Sequence, residues 1–178
     1  MYMPKAFKFV FLLVSAVFLL LSNSQAQTVK LGQAISESQL IDFDLVAGPD
    51  GSGLPPGSGT AKTGKAVFEL KCAACHAANG EGVSGNTRLV GGDMHSESSP
   101  LRTVGSYWPH ASTVFDFIRR AMPANAPKSL SNEEVYQVTA YVLFLNNIIE
   151  EKTILNKESL TQIQMPNKDG FVDLSHLH

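Results

Sequence analysis

Apolar and polar positions alternate along this chain in four distinct ways. Residues 9–21 read FVFLLVSAVFLLL, an apolar run with no periodicity, preceded by Lys5 and Lys8 and followed by the polar stretch Ser22 to Gln25. The run falls short of the roughly 20 apolar residues that a membrane-spanning helix needs. With small residues at Ser24 and Ala26 it has the form of a secretory signal peptide over residues 1–26, cleaved after Ala26. Residues 27–59 form an extension with a short helix near Ile35 to Phe43 and then a linker crowded with Gly and Pro from Gly48 to Gly59, which predicts turns rather than regular structure. From Thr60 the spacing becomes helical. Small and apolar residues at Ala61, Gly64, Ala66, Val67 and Phe68 predict a helix from about Ala61 to Cys75. Val114, Phe117, Ile118 and Ala121 predict a second, starting near Ser112 or Thr113 and stopping where Pro123 follows Met122. The third has the clearest signal: a capping box at Ser131–Glu134, then Val135, Val138, Tyr141, Val142, Leu145 and Ile148 recurring at threes and fours. No segment alternates as a strand. Residues 150–178 turn polar and read as a tail with little apolar content, packed on the surface of the domain or on a partner.

The sequence is therefore expected to be all-α, with one helical domain over residues 60–149. A core of roughly ninety residues is small, and a bound apolar cofactor would help to fill it. Charge narrows the partners. The 178 residues carry 14 Lys+Arg against 16 Asp+Glu, a formal charge of −2 and a pI near 6.2, and loss of residues 1–26 would leave twelve basic residues and a charge of −4. Proteins that neutralise phosphate backbones are basic, so nucleic acid is not an expected partner. Nor is a membrane after signal cleavage. The expected compartment is the periplasm.

The chemistry is concentrated in five residues. Cys72-Ala-Ala-Cys75-His76 is the spacing by which c-type haem is attached. Two thiols about one helical turn apart can each add to a vinyl group on one edge of a porphyrin, and the next residue supplies an imidazole for the iron. A plain disulfide and a redox-active bridge are the rival readings in an exported, oxidising compartment, but no βαβ pattern surrounds the pair. Zinc would need two further ligands. Haem iron offers a second axial position, for which the candidates are Met94, Met122, Met165 and the histidines. Met94 is only eighteen residues beyond His76, too near to reach the other face of the macrocycle, and Met165 lies in the tail. Met122, at a helix end before Pro123, is the expected thioether ligand. The predicted site is thus Cys72, Cys75, His76 and Met122 around one covalent haem c, with His76 and Met122 on the iron. An imidazole and a thioether leave no open position and raise the reduction potential, so the expected chemistry is one-electron transfer. Tyr107 and Trp108 are either propionate donors or packing aromatics. Arg119 and Arg120 are propionate partners, a docking patch or a solvated helix face.

These residues resemble the class I cytochrome c family. Cys72 to His76 with Met122-Pro123, Gly64 and Phe68 before the attachment site, and Tyr141 in the last helix match that family's packing of its first and last helices. Three longer stretches, Gly53 to Thr60, Thr103 to Pro109 running on to Phe115–Pro123, and Met165 to Phe171, are similar to the cytochrome subunit of Sox-type sulfur oxidation. The resemblance covers most of residues 30–173. It implies an electron-accepting subunit of a molybdenum sulfite or sulfane dehydrogenase rather than the catalytic subunit, passing electrons to a downstream cytochrome c or oxidase. Two departures stand out. Some members carry a second haem domain, whereas this chain has one attachment motif. Class I cytochromes also usually place a proline where its carbonyl accepts from the proximal histidine, and here Gly85-Asn86 stands near that place. A free electron shuttle, a cytochrome subunit of another periplasmic dehydrogenase such as an alcohol-oxidising one, and a haem sensor module are the alternative functions.

Overall fold

The structure is a computed structural model, and it describes residues 32–40, 43, 45–83, 88–97, 101–172 and 174. Residues 1–26, read above as a signal peptide, and Gly85-Asn86 lie outside the described residues. The chain divides into two units, 1–37 and 38–178. Only residues 32–37 of the first are described, and the second carries the fold.

Among the described residues, six helices and one pair of short strands follow in the order α1 (Glu37–Leu40), β1 (Ser58–Gly59), α2 (Ala61–Lys71), α3 (Ala73–His76), α4 (Ala111–Ala121), α5 (Asn132–Leu145), β2 (Leu155–Asn156) and α6 (Lys157–Leu160). The long helices start where side chains satisfy their first free N–H groups. Thr60 and Thr63 form a reciprocal capping box at α2, and Ser131 and Glu134 do the same at α5. The first predicted helix is broken: α2 ends at Lys71, and Cys72, at φ −122° and ψ −37°, serves as its C-cap and as the N-cap of α3.

α5 is the centre of the molecule. Val135, Tyr136, Val138, Thr139, Ala140, Tyr141, Val142 and Leu143 are all buried, so this helix is sealed on nearly every side rather than along one stripe. α2 crosses it at contact distance because Gly64 has no side chain: a Cβ there would sit 1.8 Å from the Gln137 carbonyl oxygen. One turn later Phe68 meets Tyr141, with ring centroids 5.2 Å apart at 57°. On another side α4 contributes Phe115, whose ring lies 4.5 Å from that of Tyr136.

The strands were not expected. Ser58 pairs with Asn156 and Gly59 with Leu155, antiparallel, and two residues are too few to leave an alternating signal. Gly59 is pressed on α5, since a Cβ would stand 2.4 Å from the Gln137 nitrogen. The pairing brings in the C-terminal segment, whose Leu155, Leu160 and Met165 join the hydrophobic core at 0, 1 and 3 % exposure. The polar look of residues 150–178 therefore hid three core side chains spaced five apart. Residues 45–55 pack inward as well. Ala47 and Leu54 are buried, and the Pro55 carbonyl accepts from the Tyr136 hydroxyl at 2.9 Å.

Candidate functional site

Cys72, Cys75 and His76 are mounted by α2 and α3. With Cys72 bending the chain between the two helices, its carbonyl accepts from the backbone N–H groups of both Cys75 (3.1 Å) and His76 (3.0 Å). That places the two cysteines about one turn apart. Cys72 is half-buried against the core, Cys75 is exposed, and the two thiols are not joined to one another. Burial pushes the Cys72 thiol up to about 11 against the opposing pull of Lys71. Beyond α3, Ala77 takes a left-handed φ of 61° and the chain folds back, the His76 carbonyl accepting from Gly82 N–H at 2.8 Å.

Met122 caps α4. Its N–H donates to the Ile118 carbonyl at 3.1 Å, and its φ of −116° and ψ of 147° take the chain out of the helix. The side chain is half-buried against the core. The other thioethers are placed differently. Met165 is a sealed core residue. Met94 and His95 line an open cleft of about 340 Å³ with Gly91, Asn146 and Asn167, and that lining includes none of Cys72, Cys75, His76 or Met122.

The loop between α3 and α4 is tied to the end of α5 by Asn146, whose side chain donates to the Leu89 carbonyl at 3.1 Å and accepts from Gly91 N–H at 3.3 Å. Buried Thr103 is bonded to the Gly91 carbonyl. This bracing carries Leu89 and Trp108 to the edge of the core, where both are half-buried. Trp108 packs edge-on against Phe117 at 5.6 Å, and Tyr107 meets Phe171 edge to face at 5.1 Å with the Arg102 guanidinium over its ring at 5.0 Å. Both rings thus make aromatic contacts within the protein.

The arginines have partners within the protein. Arg120 makes a two-pronged pair with Asp116, Nε to Oδ1 at 2.9 Å and Nη2 to Oδ2 at 2.5 Å. Arg119 donates to the backbone carbonyls of Leu45 (3.1 Å) and Gly53 (3.4 Å). Asp116 also accepts from Ala47 N–H at 2.8 Å. Burial alone would raise its carboxyl, but Arg120 and the Ala47 N–H outweigh it and hold the group below the usual aspartate range. Sequence reasoning missed Asp116 as an anchor, although its spacing of four from Arg120 is the signal of a helical ion pair.

The residues present suit a covalently held porphyrin. They offer two unpaired thiols one turn apart, an imidazole beside them and a thioether on another helix. Among the described residues no group of three His, Cys, Asp or Glu side chains could hold a bare metal ion. Val67, Cys72, Ala73, Leu89, Trp108 and Met122 lie against the core without being sealed by it, and Phe117 is 43 % exposed. The segments that carry the four donors thus also carry apolar surface that wants a cover.

Comparison with known proteins agrees. Residues 59–142 match the family described as cytochrome c oxidase, cbb3-type, subunit III. A chain in the crystal structure of the sulfane dehydrogenase SoxCD from Paracoccus pantotrophus is 37 % identical, with a TM-score of 0.77 over 85 % of this chain and 75 % of that one. The chain belongs to the class I cytochrome c family. As a c-type cytochrome it carries covalently bound haem c and transfers electrons, and the all-α expectation holds with the addition of one strand pair. A further relative, the thiosulfate dehydrogenase of Allochromatium vinosum, is 28 % identical over 119 residues, which span 66 % of this chain and 40 % of that protein. No helix among the described residues is long and apolar enough to cross a membrane.

Proposed function

We propose that this cytochrome is the electron-accepting subunit of a periplasmic molybdenum sulfite or sulfane dehydrogenase. The observation that carries this reading is the likeness to a chain of the SoxCD sulfane dehydrogenase, 37 % identical over most of both chains. In this reading Cys72 and Cys75 would hold the haem through thioether bonds, and His76 and Met122 would ligate its iron. Haem c supplies a one-electron couple and no oxygen chemistry when both axial positions are filled. The protein's part is to hold those ligands, to exclude water with Leu89, Trp108, Phe117 and Ile118, and to present an edge to its partners. Oxidation of sulfite to sulfate with water releases two electrons and two protons, so a chain with one haem accepts them singly and passes each on to a downstream cytochrome c or oxidase before taking the next.

Residues 1–26 are read as the export signal that brings the chain to the compartment where haem is attached and sulfur compounds are oxidised. The test is to mix the oxidised cytochrome with the sulfite-oxidising molybdoenzyme of the same organism, add sulfite, and follow the haem α-band. Rapid reduction that requires both enzyme and substrate is expected. If neither sulfite nor thiosulfate reduces the haem while dithionite does, the chain serves another dehydrogenase.

A further inference from the structure

The Met122 side chain rests half-buried against the core, but the backbone around it is braced on its N-terminal side only. Residues 124–129, which follow it, are all exposed, and the local bond there is a turn from Ala126 N–H to the Pro123 carbonyl. The backbone that places the thioether is therefore that of α4. The last turns of a helix fray unless something outside the helix holds them. Here two side chains in those turns reach a separate part of the chain: Asp116 accepts from Ala47 N–H at 2.8 Å, and Arg119 donates to the Leu45 and Gly53 carbonyls. Their partners belong to a strap, residues 45–54, that is itself anchored. Ala47 and Leu54 are buried at 5 and 4 % exposure, the strap closes on itself from Gly48 N–H to the Ser52 carbonyl at 2.8 Å, and the adjoining Pro55 is bonded to Tyr136 of α5. The fixed strap thus grips α4 one and two turns before Met122.

We propose that Asp116 and Arg119 are positioning residues for the axial thioether, holding the end of α4 against the strap so that Met122 keeps its place on the haem iron. The inference rests on the reading of Met122 as ligand. Arg120 belongs to the same cluster but touches Asp116 rather than the strap, so its loss leaves both strap contacts in place.

The test is competition for the sixth position. Oxidised, full-length holoprotein is titrated with imidazole while the Soret band is followed, for the wild type and for Asp116→Ala, Arg119→Gln, Arg120→Ala and Met122→Ala, with urea midpoints measured separately. Losing a hydrogen bond to a charged group that holds the ligand-bearing helix should make imidazole bind about tenfold more tightly to Asp116→Ala and Arg119→Gln. Arg120→Ala should change it less than either. Imidazole affinities equal to the wild type in Asp116→Ala and Arg119→Gln, alongside lowered urea midpoints, would mean that the two residues only stabilise the fold and would overturn the proposal. Should Asp116→Ala fail to yield holoprotein, Arg119→Gln decides alone. Met122→Ala separates the two levels. If it keeps the wild-type spectrum and imidazole affinity, the ligand reading fails and this inference with it. If it binds imidazole far more tightly while the clamp variants do not, only the inference falls.

Discussion

Cys72, Cys75 and His76 stand within five consecutive residues, directly after α2, which is pressed against α5 through a glycine. Met122 stands forty-six residues beyond His76, at the end of a helix gripped by a strap from another part of the chain. The two halves of the proposed site are therefore held by different physics. The first is fixed by local geometry and by a close helix crossing, which tolerates no change of volume. The second depends on a few long-range hydrogen bonds, which can loosen without unfolding the domain. In the first half a fault should abolish attachment. In the second it should alter the iron's surroundings while leaving the haem in place.

The largest effect should come from the thiols. A Cys72→Ser, Cys75→Ser double variant is expected to lose covalent haem completely, read as the absence of haem-linked peroxidase staining on a denaturing gel. Met122→Ala should stain as strongly as the wild type but show a changed spectrum. Equal staining of all three proteins would break the distinction between the two halves. Next comes the crossing itself. Gly64→Val puts a Cβ 1.8 Å from the Gln137 carbonyl oxygen, and backbone on the neighbouring helix cannot step aside as a flexible side chain would. A cost of about 3 kcal/mol or more is expected from overpacking of this kind, measured as a fall in the urea midpoint of the holoprotein.

The contrast between the halves also marks what could be read before any coordinates. Cys72 to His76 is contiguous, so its chemistry is legible letter by letter, and the capping box at Ser131 announces the helix that α2 packs on, whereas the cap at Thr60 shows only in the structure. The observed limits of α4 differ from the expected ones by a residue or so at each end. What stayed hidden is what depends on distance along the chain. Arg119 looks like any solvated arginine until the carbonyls of Leu45 and Gly53, 74 and 66 positions away, are brought to it. Leu155 reads as one apolar residue in a polar tail, yet it is fully buried because a two-residue strand pair draws it onto the core. Leu155→Ala is accordingly expected to cost about 2–4 kcal/mol, the usual penalty for a buried leucine, and a value below about 1 kcal/mol would show that residues beyond 150 are not integral to the domain.

The smallest effect expected is electrostatic and belongs to the α2–α5 crossing. Lys71, next to Cys72, donates to Glu134 at 2.6 Å, and Glu134 also accepts from Ser131 N–H at the start of α5. The bond from Lys71 first, and then the Ser131 N–H, hold the Glu134 carboxyl below the usual glutamate range. A carboxyl that is lower in the folded than in the unfolded protein stabilises the fold above its unfolded value and ceases to do so as pH falls through its folded one. Glu134→Gln keeps an oxygen for the cap but loses the charge. It should therefore cost about 0.5–1 kcal/mol at pH 7, the range for a partly exposed pair with good geometry. That difference from the wild type should shrink toward zero only as pH is taken well below the usual glutamate range and through the lower folded value of the Glu134 carboxyl, where the wild-type side chain becomes neutral as well. Urea titrations of both proteins at neutral pH and in that acid range test this directly. A cost that stays constant with pH would assign the role of Glu134 to helix capping alone, and the crossing beside the attachment motif would then owe nothing to its one ion pair.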